Sequence, residues 1–161
     1  MANIGQREYL RNYKYTVEVG SMAVIGFATV SGLSDESEVI EYREGNMPAF
    51  PRKLVGQASS GDVTFERGAT DSINTALLMD WRARTKHLMD NTPETMDDVR
   101  EDIVIKVHGE ADDVIVISYQ LTDAWPSALE IGDLDAGASE VLIHTLSVVS
   151  EETNYAQGDF F

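Results

Sequence analysis

The stretch EVIEYREGNMPAFPRKLVGQASSGDVTFERG, Glu38–Gly68, decides how this chain is read. Two extended, charge-studded segments flank a run, Arg43–Lys53, that holds Pro48 and Pro51. Neither proline can donate a ladder hydrogen bond, so the run is an arm between strands rather than central strand. The arm carries Arg43, Arg52 and Lys53 against Glu44 alone, a net of +2. Upstream, Glu36, Glu38, Ile40 and Tyr42 alternate with Ser37, Val39, Glu41 and Arg43, and neither face is purely apolar. Downstream, Val63, Phe65 and Arg67 stand opposite Asp62, Thr64 and Glu66, which predicts a further strand.

Strand signals continue on both sides. In YKYTVEV (13–19) Tyr15, Val17 and Val19 share one face and Lys14, Thr16 and Glu18 the other, the pattern of a half-buried strand. AVIGFATVSGL follows as a second extended run, broken by Gly26 and Gly32. One helix is predicted over about 72–90, capped by Asp71 or Ser72. Its apolar stripe is Ile73, Leu77, Trp81 and Leu88, widened by Ala76 and Leu78. The acidic segment 90–102, opened by Asn91 and Pro93, reads as a loop. DIVIKVHGE, DVIVISYQLTDAW and EVLIHTLSVVSE supply three more strands, with PSALEIGDLDAGAS as a turn region. The total, roughly seven strands and one helix, predicts a mainly β sandwich or barrel with one flanking α-helix and a long inter-strand arm. At 161 residues it reads as a single domain, 1–161.

Composition narrows the function classes. The formal charge is −16, from 28 acids against 12 Lys and Arg, which argues against a free-standing nucleic-acid binder. There is no cysteine, hence no disulfide framework, thiolate nucleophile or sulfur-based zinc site, and assembly in a reducing cytosol fits. The first residues, MANIGQREYLRNYKY, contain no signal-peptide apolar run, and no window approaches the ~18 apolar residues of a membrane-spanning helix. A soluble chain without a cleavable export signal is expected.

A search for chemistry returns nothing specific. His87, His108 and His144 share no ligand spacing, so no metal site is predicted. DLDAG (133–137) departs from a calcium loop, because its glycine comes a place early and His144 stands where the twelfth-position Glu belongs. GxSxG, GxGxxG and GxxxxGK[ST] are missing, and QASSG (57–61) lacks elbow spacing. Trp81 and Trp125 read as core anchors. The sequence nominates no catalytic residue and no cofactor.

The order of the pieces carries a resemblance. VSGL, EVIEYREG, a proline-bearing loop, RKLVGQ and GDVTFERG are followed by a Trp-bearing helix, TDAWPSAL and EVLIHTLSVVSE. From about Tyr9 to Glu151 the chain resembles the tail tube proteins of contractile-tailed phages and the inner tube proteins of related injection particles. The long acidic connection 90–112 departs from many relatives. The resemblance implies hexameric rings stacked into a hollow tube, with no bond made or broken by the tube itself. It implies contact with sheath, baseplate and terminator proteins, and passage of DNA or protein payload without specific binding. Such a tube would be assembled in the bacterial cytoplasm and end in a virion tail or a released particle. Arg43, Glu44, Pro48, Pro51, Arg52 and Lys53 would then join subunits, and Glu36, Glu38, Asp62 and Glu66 would line the bore. Six copies carry 6 × −16, or −96, formal charges per ring, so the bore would repel DNA phosphates. The rival readings are a monomeric β-barrel binding module and an acidic hydrolase using two carboxylates.

Overall fold

A computed structural model of the chain describes residues 9–161 except Ala23, Met47, Asn91, Thr92 and Asp112. Met47 of the arm and Asn91 of the acidic segment therefore lie outside the described residues, as do the first eight positions. The strands are β1 (Tyr15–Val19), β2 (Val24–Ile25), β3 (Thr29–Ser31), β4 (Asp35–Tyr42), β5 (Arg52–Ser60), β6 (Val63–Gly68), β7 (Glu101–His108), β8 (Ile115–Ile131), β9 (Ile143–Val149) and β10 (Glu152–Gln157). Helices α1 (Ile73–Lys86) and α2 (Met96–Val99) lie between β6 and β7.

The main sheet runs β2-β1-β7-β8-β9-β6-β3, all antiparallel, with β10 also on β8. Its spine is β8, whose first half pairs with β7 and β10 and whose second half pairs with β9. The strand bends at Asp123, which adopts φ 51 and donates its N–H to Asp102 Oδ1 at 3.0 Å. A strand that crosses from one half-sheet to another through such a bend lets both halves wrap one core. Val17, Val19, Ile103, Ile105 and Leu121 from one half meet Val63, Phe65, Leu146 and Val148 from the other, and Leu78 and Trp81 of α1 close the layer. The core faces of β1 and β6 are those expected from period-2 alternation: Val17 and Val19 are buried, and so are Val63, Phe65 and Arg67.

Several expectations need correction. The helix ends at Lys86, not near 90, because His87 closes a local turn: its Nδ1 lies 2.7 Å from Asp90 Oδ2, and Asp90 N–H donates to His87 O at 2.9 Å. Ile73 is 73% exposed and lies off the core, while Leu78 and Trp81 are the buried pair of α1. Ser72 is the N-cap position, and its side chain makes no capping bond. Trp81 is the core anchor expected, with Nε1 donating to Val99 O at 2.6 Å, whereas Trp125 is half-buried.

The acidic segment is not all loop. Asp97 and Asp98 occupy the first turn of α2, where carboxylates oppose the positive helix end, and Arg84 of α1 donates to Asp98 O at 2.7 Å. The region 126–139 is not all turn either, since β8 continues through Pro126 to Ile131. The pairing with β9 shifts register between Pro126 and Ala128, the kind of irregularity that accommodates a residue without an N–H. β10 is an added strand that the sequence reading did not anticipate.

Candidate assembly interface

Among the described residues β4 and β5 pair only with each other, forming a two-stranded sheet separate from the main one. The projecting element is thus larger than the predicted arm, because the strands flanking Arg43–Lys53 belong to it as well. Every residue of β4 is exposed, and β5 is exposed at all positions but Gly56 and Ser60. Eight residues of extended β4 rise about 26 Å, comparable to the width of a small domain.

The root of this hairpin is tightly held. Gly61 N–H donates to Ser34 O at 2.9 Å. Gly32 sits at φ +86, and a Cβ there would lie 2.4 Å from Asp62 O. Only glycine accepts that conformation and that approach without strain. Further out, one additional residue of β5 breaks the register between Ser37 and Val39. Such a bulge strengthens twist and bends the strand pair.

The midsection is apolar on both faces. Val39 pairs with Val55, and they are 60% and 83% exposed; on the other face Ile40 pairs with Leu54, at 46% and 52%. Phe50, at the tip, is 84% exposed. An isolated two-stranded hairpin is marginally stable in water. Apolar pairs on both of its faces form a surface suited to burial between partners.

Charge changes sign along the hairpin. Asp35, Glu36 and Glu38 lie toward the root with no Lys or Arg across from them. Arg43, Arg52 and Lys53 gather toward the tip, where Lys53 pairs with Glu41 and Arg52 with Tyr42. Tyr42 Oη donates to Glu44 Oε1 at 2.9 Å. Arg52 and Lys53 belong to β5, so they project to opposite faces of the hairpin instead of lying in a loop. Pro48 is exposed and Pro51 half-buried, both in the connection between the strands.

The four acids assigned to the bore do not share one surface. Glu36 and Glu38 belong to the hairpin, Asp62 lies in the link from β5 to β6, and Glu66 is on the outer face of β6. Glu66 is central to a row that register makes explicit: Thr29, Glu66, Thr145 and Glu130 stand opposite one another across β3, β6, β9 and β8. The next row on that face is Ser31, Thr64, Ser147 and Ala128. This outer face is small, hydroxyl-rich and acidic, and Glu130 is the member that sequence reasoning missed. Its signal lay in the extension of β8 past Pro126.

Among the described residues, no group of three or more His, Asp or Glu is arranged to hold a metal ion. Asp135 Oδ1 accepts from Gly137 N–H at 2.9 Å, so the exposed DLDAG segment forms a local turn.

The sequence profile of the T4-like virus tail tube protein gp19 matches residues 11–154. The chain belongs to that family. Among solved structures, the tail tube fold seen here is similar to the tube-terminating cap of the anti-feeding prophage, with a TM-score of 0.77 at 20% identity over 96% of this chain and 95% of that one. It is also similar to a chain of the sheath–tube complex of an extracellular contractile injection system, PVC, with a TM-score of 0.75 at 23% identity over 92% of each chain. A chain of the six-fold-symmetrised anti-feeding prophage baseplate gives 0.67 at 25% identity, covering 88% of this chain and 90% of that one. Comparison with curated protein sequences finds no match.

Proposed function

We propose that this tail tube protein is the structural inner tube subunit of a contractile tail or injection particle. Copies close into six-membered rings, and the rings stack into a hollow tube that conducts DNA or protein payload without chemistry of its own. The observation that carries this reading is the β4–β5 hairpin, which exposes apolar pairs on both faces in a member of a tail tube family. Such a hairpin gains its packing when neighbouring copies cover it, and its root at Gly32 and Gly61 holds its direction.

In that arrangement Arg43, Glu44, Pro48, Pro51, Arg52 and Lys53 contact adjoining subunits, and the positive tip meets acidic surface on the next copy. The outer face bearing Glu66 and Glu130 suits a wet channel wall, because its side chains are polar and negative where a conduit must not bind phosphate. Asp62 lies at the edge of that face, and Glu36 and Glu38 extend negative charge along the hairpin root. A head-to-tail contact closes a ring when its rotation permits, and the axial contact propagates a stack. The sheath, baseplate and terminator assemblies of the similar structures nominate the partners. Such a tube is built in the bacterial cytoplasm and ends in a virion tail or a released particle.

The test is charge reversal at the tip. Arg52→Glu with Lys53→Glu should leave a folded monomer, by circular dichroism and melting temperature, that forms no tubes in negative-stain electron microscopy. Normal tubes from the double variant would rule out the stitching role.

A further inference from the structure

The loop between β8 and β9 holds an open basin of about 550 Å³, lined by Asp133, Leu134, Asp135, Glu140, Val141 and Ile143. Sites of roughly 300–1,000 Å³ take in drug-sized molecules, so one aromatic ring has ample room here. The backbone fixes the root of the loop: Gly132 N–H donates to Ile143 O at 2.8 Å and Ala69 N–H to Leu142 O at 2.7 Å. Leu134 is 82% exposed and Val141 69%, although both are apolar. No Lys or Arg occurs from Pro126 to Ile143, and Asp133, Asp135 and Glu140 make no ion pair among the described residues. Asp71, two residues past Ala69, adds a further exposed carboxylate near the root. Arg67 is the one cation on the strands β6, β8 and β9, and it is buried on the core face.

The basin and the β4–β5 hairpin lie at opposite ends of the same strands. β6 begins at Val63, opposite Val148, next to the hairpin root at Asp62. It ends at Gly68, opposite Ile143, where the loop rejoins the sheet. Its six residues rise about 20 Å. The hairpin tip complements the basin in kind. Phe50 is exposed, and Arg43–Lys53 carries a net +2. Arg43, Arg52 and Lys53 make no ion pair among the described residues. Phe50, Leu134 and Val141 are all open to solvent in a single copy, so the tip does not cover the basin of its own chain.

We propose that the hairpin tip docks in the β8–β9 basin of a second copy of this chain, with Phe50 against Leu134 and Val141 and the tip cations against Asp133 and Glu140. The proposal rests on the tube reading and names the surface that receives the hairpin. A contact between unlike ends of two copies is heterologous, so it propagates along an axis instead of closing a pair. Each copy inserts one tip and offers one basin. An apolar ring by itself fits many surfaces, whereas a ring flanked by cations selects an apolar basin rimmed by carboxylates. The same pairing counters the repulsion between copies that each carry −16.

Cryo-electron microscopy of assembled wild-type protein at side-chain resolution reads the contact directly. The expected result is a Phe50 ring within about 4.5 Å of Leu134 or Val141 of a neighbouring copy. A tip seated on any other surface, or a basin filled by any other segment, overturns this proposal while the tube reading stands. Wild-type protein that never assembles overturns both. In solution, Asp133→Lys with Glu140→Lys should melt within about 2 °C of the wild type, because both positions are exposed. It should need at least about tenfold more protein to assemble. Adding Arg52→Glu and Lys53→Glu restores opposite charges across the contact, and should bring assembly to within about threefold of the wild-type concentration. A basin variant that assembles like the wild type overturns the proposal. So does a combined variant that assembles no better than the tip variant alone. If the charge-reversed loop misfolds, Leu134→Ser with Val141→Ser keeps every charge and backbone bond of the loop. Assembly of that variant at the wild-type concentration then overturns the proposal.

Discussion

The hairpin midsection offers the sharpest separation of folding from assembly. Consider Val39→Thr, Ile40→Thr, Leu54→Thr and Val55→Thr made together. Threonine is β-branched and suits a strand, and it puts a hydroxyl in place of a methyl of Val and of the longer aliphatic tails of Ile and Leu. Complete burial of each original side chain stabilises by about 2 kcal/mol. Scaled by the exposures of the four residues, that is roughly 5 kcal/mol per hairpin available only to an interface. Ordering and desolvation consume part of it, so the expected rise in assembly concentration is at least about a hundredfold rather than the full several-thousandfold. The monomer should lose no more than about 0.5 kcal/mol, because these side chains are already wet. Urea unfolding measures the first quantity and sedimentation velocity across a concentration series the second. A variant that assembles like the wild type refutes the reasoning. So does one whose monomer loses more than about 2 kcal/mol, for then these residues pack within their own chain.

Two further outcomes follow from the geometry. Gly32→Ala forces a side chain into φ +86 with its Cβ 2.4 Å from Asp62 O, and should lower the melting temperature by roughly 3–10 °C. Gly26→Ala, with nothing within 4 Å of its would-be Cβ, is the matched control, and equal effects at both positions would contradict the account of the hairpin root. Asp98 Oδ2 accepts from Thr95 N–H at 2.7 Å and from Thr95 Oγ1–H at 2.9 Å, which together hold its pKa below the usual value of 3.8. Because the folded pKa is the lower one, its contribution to α2 is complete above about pH 4 and lost as the pH falls through the folded value. An NMR titration of the Asp98 carboxyl should show a midpoint below 3.8, and a midpoint at or above it contradicts the assignment.

Legibility in the sequence followed burial. β1 and β6 alternate cleanly because one face of each meets the core, and Val17, Val19, Val63 and Phe65 could be placed from period alone. The helix was readable in its middle, where Trp81 and Leu78 are buried, but not at its ends. Ile73 extends the apolar stripe at one end although it is exposed, and Leu88 at the other lies past the last helical residue. β10 escaped because ETNYAQ has no apolar alternation; its ladder with β8 comes from backbone pairing. Pro126 masked the second half of β8, and with it Glu130 and the polar row it completes. The hairpin was half legible. Pro48, Pro51 and the tip charge marked the arm, but β4 and β5 looked like body strands since their alternation does not say what covers them. Arg67 was read as sharing a face with Val63 and Phe65, and that face is the buried one.

The central claim is that the β4–β5 hairpin turns this domain into a tube. A cryo-electron microscopy reconstruction of the purified protein at assembling concentration tests it most directly. The account predicts stacked six-membered rings in which Val39, Ile40, Leu54 and Val55 of each copy are covered on both faces by neighbouring copies. A stable monomer, or rings in which those four residues remain in solvent, would contradict it.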